Sequence, residues 1–128
     1  GGCVHGFLEA NGDFYMTMPI ADEKKYAIKG GHAGGSINNT HLGIELMETT
    51  HIKYKTQFTF DILDFEKAEK DIVDTYWQGV KLFAYLCNWY ELDPLKDGVI
   101  LSHWESYLRG VGNNHRDPEH IWIKYGQI

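Results

Sequence analysis

Hydrophobic and polar positions recur along this chain with two different periods, and the change of period marks its elements. Residues 4–9 and 13–18 carry the strand-forming Phe7, Leu8, Phe14, Tyr15 and Met16 on either side of Asn11-Gly12. That arrangement predicts a β-hairpin, because both turn residues accept positive φ. Pro19 ends the second strand. Residues 20–40 read as a loop, and its run Gly30-Gly31-His32-Ala33-Gly34-Gly35 allows close backbone approach. Residues 41–47 alternate again and predict a short strand with Leu42, Ile44 and Leu46 on one face and Gly43, Glu45 and Met47 on the other. Residues 48–62 have β character at Thr49, Thr50, Tyr54, Thr56, Phe58 and Phe60, and fit either strands or an ordered surface excursion.

The helical period then takes over. Residues 64–91 predict a helix capped by Asp64, with Glu66 and Glu69 at its positive end and an apolar stripe of Ile72, Tyr76, Val80, Phe83 and Cys87. Gly79 weakens this helix without ending it, and Asp93-Pro94 stops it. The continuous apolar run at residues 99–101 predicts a central strand covered on both faces. Ser102-His103-Trp104-Glu105 matches a capping box and starts a short helix, and Pro118 opens a last one through Trp122.

A length of 128 residues predicts one domain, and 43% hydrophobic with 14% aromatic residues fits a folded chain. A formal net charge of −6 without a basic run argues against nucleic acid as the main partner. No apolar stretch approaches the ~20 residues of a membrane span, and nothing at the start reads as a signal peptide. The chain opens on Gly1-Gly2-Cys3-Val4-His5 without Met, which suggests a processed or truncated piece. Cys3 and Cys87 lie far apart in sequence and form no CxxC, and Cys87 on the apolar helix face predicts a buried free thiol.

The candidate chemistry is concentrated in residues 100–122, where His103, Glu105, His115, Asp117, Glu119 and His120 fall within 23 positions. His103 stands at a strand–helix junction, which suits a metal ligand as well as a capped core histidine. His115 and Asp117 are two residues apart, so an extended loop points both the same way; one can bind metal while the other contacts substrate. A solvated polar turn is the plainer alternative. Glu119 and His120 read as ordinary helix-start residues. Glu45 lies inside an apolar strand, where a carboxylate is costly unless neutral, hydrogen-bonded or near a cation. Beside the water of a Zn²⁺ ion it would be a general base; on a half-exposed strand it would simply face solvent. His32 can line a groove, and His5, His41 and His51 are expected to be structural.

Several ordered motifs carry a resemblance to a known family. They are Val4-His5-Gly6-Phe7-Leu8 with Asn11-Gly12, Gly31-His32-Ala33-Gly34-Gly35, and Asn39-Thr40-His41-Leu42-Gly43-Ile44-Glu45. Ser102-His103-Trp104-Glu105, Gly110, Asn114-His115-Arg116-Asp117 and Trp122 follow. Together they resemble the zinc-dependent N-acetylmuramoyl-L-alanine amidases of the phage endolysin and peptidoglycan-recognition-protein type, over nearly the whole chain. The resemblance implies an α/β fold with a mixed central β-sheet flanked by helices, and a single amidase catalytic domain over residues 1–128. It implies hydrolysis of the amide between N-acetylmuramic acid and L-alanine in the bacterial cell wall, as by a lysin released from a phage host. Carried over by position, His103 and Asp117 are zinc ligands, Glu45 activates the zinc water, and His115 stabilises charge on the substrate carbonyl. His32 and Asn39 fall in the substrate groove.

The family places its first His ligand upstream of the hairpin, and this chain begins at the hairpin. The expectation is therefore a chain incomplete at its N-terminus, a second chain that completes the site, or recruitment of His5. Val111-Gly112-Asn113 also replaces the family's small-residue run, and Val4 replaces a Tyr of some relatives. The rival expectation is a non-catalytic muropeptide-binding module derived from such an amidase. An assembly subunit with a vestigial site is a third.

Overall fold

The N-terminal hairpin forms where Asn11-Gly12 predicts it. β1 (Gly6–Leu8) pairs antiparallel with β2 (Phe14–Met16), with Phe7 opposite Tyr15. The turn is not a two-residue one. Gly12 N donates to Glu9 O (3.0 Å), Glu9 N donates to Asp13 O (2.9 Å), and only Gly12 takes positive φ, at 92°. This is a three-residue connection closed by a glycine bulge. Asn11 contributes its side chain instead, accepting the Asp13 N–H at 2.9 Å.

The computed structural model describes residues 4–17 and 35–124, and these form a mixed α/β fold with two small sheets and three helices. Residues 36–39 make a single 3-10 turn. Gly35 before it owes its identity to close approach, because a Cβ there would lie 2.3 Å from the Val111 carbonyl oxygen. β3 (Ile44–Leu46) joins β1 in parallel, so the first sheet runs β2-β1-β3. The expected alternation holds: Leu46 faces the long helix at Gly79, while Glu45 pairs with Phe7 on the opposite face.

Residues 48–62 are strands in part. β4 (Ile52–Tyr54) and β5 (Phe60–Ile62) form a separate antiparallel hairpin. α1 (Phe65–Trp89) has the predicted cap, with Asp64 Oδ1 accepting the Lys67 N–H at 3.1 Å. Its buried stripe is Ala68, Ile72, Thr75, Gly79 and Cys87. Val80, expected in that stripe, is exposed, because Gly79 occupies the close approach to Leu46. Cys87 is buried and free, as expected. Ile52, Ala68, Ile72 and Ile121 make a core between the second hairpin, α1 and α3 (Glu119–Lys124).

One predicted strand does not form. Residues 99–101 pair with no strand among the described residues, and Ile100 is exposed. A strand needs a partner backbone, and three apolar residues do not specify one. The segment is held by turn contacts instead. Val99 N donates to Lys96 O (3.2 Å), and His41 Nε2 donates to Gly98 O (2.7 Å). No helix among the described residues is long and apolar enough to cross a membrane.

Candidate metal centre

α2 (His103–Leu108) opens on a complete capping box. Ser102 Oγ accepts from Glu105 N (3.0 Å), and Glu105 Oε1 accepts from Ser102 N (3.1 Å). This box fixes the first helical residue, His103, whose side chain is almost fully buried. The loop after α2 turns back over the same helix. Val111 N and Gly112 N donate to Ser106 O at 2.9 and 3.1 Å, with Gly110 at φ 74° making the turn. His103 N donates to Asp117 O at 3.1 Å, so the chain returns to its starting point and brings Asp117 against His103.

The side chains meet there. His103 Nδ1 lies 3.2 Å from Asp117 Oδ1, and His103 Nε2 contacts Asn113 Oδ1. The His115 ring stands 5.0 Å from that of His103, tilted by 35°. One donor atom from each of His103, His115 and Asp117 lies within 4.8 Å of the others. Their exposure is graded: His103 is buried, Asp117 half-buried and His115 open to solvent. Two imidazole nitrogens and a carboxylate oxygen suit a borderline divalent cation, and the exposed side leaves room for a further ligand.

The charges agree with this placement. Burial lowers the pKa of His103, but the contact and charge of Asp117 outweigh it, helped by Asn113 and Glu45, so the net shift is upward. Asp117 beside Nδ1 and Asn113 at Nε2 thus favour positive charge at this ring, and a cation replacing the proton would meet the same carboxylate. Glu45 titrates at about 7. Burial is the main cause, followed by the negative charges of Asp117 and Glu48, and His103 opposes them. The β3 carboxyl is therefore in the field of the His–His–Asp group.

The fates of the predicted site residues differ. His103, His115 and Asp117 come together, and Glu45 lies within electrostatic reach of His103 and Asp117. His115, expected to stabilise substrate charge, belongs to the donor group itself. His32 and the side chain of Asn39 lie outside the described residues. His5 is buried and accepts the Gly43 N–H on Nδ1 at 3.0 Å, outside the donor group. His41 is structural, as expected, bridging Thr40 and Gly98.

The structure also adds residues the sequence did not signal. Tyr54 donates to Glu48 Oε2 (2.6 Å), so His120 Nε2, 2.8 Å from the same phenol oxygen, must be the donor to it. His120, read as an ordinary helix-start residue, thus ties α3 to β4, and its ring also lies edge-on to Phe60. Burial and Glu48 push the Tyr54 phenol pKa far up, with smaller contributions from Asp117 and Glu45. Asn113 is the other addition. No family model matches this chain, and no curated protein or solved structure matches it.

Proposed function

We propose that this chain is a zinc-dependent amidase that cleaves the bond between N-acetylmuramic acid and L-alanine in peptidoglycan. The observation that carries this reading is the convergence of His103, His115 and Asp117 donors within 4.8 Å, in the field of a carboxyl group titrating at about 7. The resemblance of the motifs around these residues to the amidases supplies the substrate class, and the target would be the bacterial wall.

His103, His115 and Asp117 would hold the ion. Bound Zn²⁺ supplies polarisation of a carbonyl oxygen and a water acidified to pKa ~7. Glu45 takes a proton from the attacking water and returns it to the L-alanine nitrogen as the C–N bond breaks. The charge of a bound ion would favour the Glu45 carboxylate, the form that accepts the first proton. Three donors within the chain also make His115 a ligand here, in place of the charge-stabilising role that the resemblance implies.

The test uses Gram-positive sacculi incubated with the zinc-loaded chain. The expected result is loss of turbidity with new L-alanine amino termini, abolished by a chelator. Glu45→Gln should lower the rate by ~10²–10⁴-fold while calorimetry still detects the muropeptide. A zinc-loaded parent that binds muropeptide yet releases no amino termini contradicts the enzyme reading and leaves a recognition module.

A further inference from the structure

The loop that carries two of the three donors is gripped from its outer side. Arg116 lies between His115 and Asp117 in sequence, and its guanidinium carbon sits 4.5 Å from the Phe58 ring centroid and 4.7 Å from a Trp104 ring centroid. Trp104 in turn stacks on Tyr107, with centroids 4.9 Å apart and planes at 25°. Phe58 belongs to the connection between β4 and β5, and Trp104 follows His103 in α2. One planar cation therefore ties the second hairpin, the ligand loop and the ligand helix together. Gln57 Nε2 donates to Asn114 Oδ1 at 3.4 Å from the same connection, a second tether on the same side.

Residues 113–117 have no regular structure of their own. Such a loop orders only as far as outside contacts hold it. Arg116 is held by Phe58 and Trp104, while its two neighbours, His115 and Asp117, both meet His103. Fixing the residue between them therefore limits how far either can swing away from His103. The grip depends on shape as well as charge. A guanidinium is flat and offers a face to each of two rings, whereas an ammonium is a compact, strongly hydrated point charge.

We propose that Arg116 is a positioning residue whose double contact with Phe58 and Trp104 pre-orders residues 113–117, so that His115 and Asp117 are aimed at His103 before an ion arrives. Its consequence for metal affinity rests on the metal reading above; its consequence for loop order does not.

The experiment has two arms. Backbone ¹⁵N relaxation on the metal-free chain reads loop order, and Zn²⁺ titration reads affinity, for the parent, Arg116→Ala, Arg116→Lys and Phe58→Leu. Unchanged α1 amide signals serve as the folding control. In the parent, order parameters at 113–117 should be near ~0.85, falling below ~0.6 in both Arg116 variants. Phe58→Leu, which keeps an apolar contact without the ring, should fall in the same direction. Zn²⁺ affinity should drop about tenfold in the Arg116 variants, which is about 1.4 kcal/mol. A loop as rigid in Arg116→Ala as in the parent overturns the proposal, and so does full recovery by Arg116→Lys. A parent that binds no Zn²⁺, but whose loop order depends on Arg116, overturns the metal reading and upholds the positioning role. Zn²⁺ uptake with loop order indifferent to Arg116 does the reverse.

Discussion

Glu45 is an acid held where its charge is costly, and that has a measurable consequence. Its pKa rises from the usual 4.5 to about 7 in the folded, metal-free chain. The folded state thus keeps a proton that the unfolded state releases, so the favourable contribution is complete below 4.5 and is lost as pH rises through about 7. The loss is at most about 3 kcal/mol for a shift of this size. His103, also raised, loses stability in the same direction as pH climbs past its usual 6.5. Denaturant unfolding of the chelated protein between pH 4.5 and 8 should therefore show falling stability. Glu45→Gln should flatten most of that fall and leave the part due to His103. Equal slopes in the two proteins would remove Glu45 from the buried field. The sequence made this residue legible because alternation in Leu42, Ile44 and Leu46 forces Glu45 to the other face. It did not reveal which groups share that face, since Asp117 and His103 arrive from residues 58 or more positions away.

Elements were legible where local chemistry alone decides them. α1 follows from its Asp64 cap and 3.6-residue period, α2 from a capping box, and the first hairpin from Asn11-Gly12. The 99–101 run failed because a strand is a relation between two backbones, and an apolar triplet carries no information about its partner. The stripe on α1 was displaced for a related reason: Gly79 faces Leu46 of β3, and a hydrophobicity pattern overlooks a glycine. That contact gives a sharp contrast between two glycines. A Cβ on Gly79 would meet Leu46 Cδ2 at 3.7 Å, an ordinary packing distance. Gly79→Ala should then stabilise the protein by ~0.5–1 kcal/mol through helix propensity, raising Tm by about 2–6 °C. A Cβ on Gly35 would lie 2.3 Å from the Val111 carbonyl oxygen. Gly35→Ala should lower Tm, because backbone rather than a flexible side chain must yield. A thermal scan that ranks the two variants the other way would refute the packing of β3 on α1 described above.

Across the whole molecule, the site is assembled by a chain reversal. α2 starts at His103, the loop turns over Ser106, and Asp117 comes back to accept the His103 N–H. His103 and Asp117 were readable as partners because they share one short segment with a recognisable motif. The supports were not readable. Phe58 reaches Arg116 across 58 positions, and Tyr54 reaches His120 across 66; such pairings follow from tertiary packing alone. The net charge of −6 and the three carboxyl groups at Glu45, Glu48 and Asp117 leave the metal-free site with repulsion that a cation would relieve. The most direct measurement is calorimetric titration of the chelated chain with Zn²⁺, repeated for His103→Ala, His115→Ala and Asp117→Ala. The parent should bind about one ion per chain, as a single three-ligand site requires, and each variant should lose that binding. A parent that takes up no zinc, or whose uptake survives removal of His115 and Asp117, would contradict such a site.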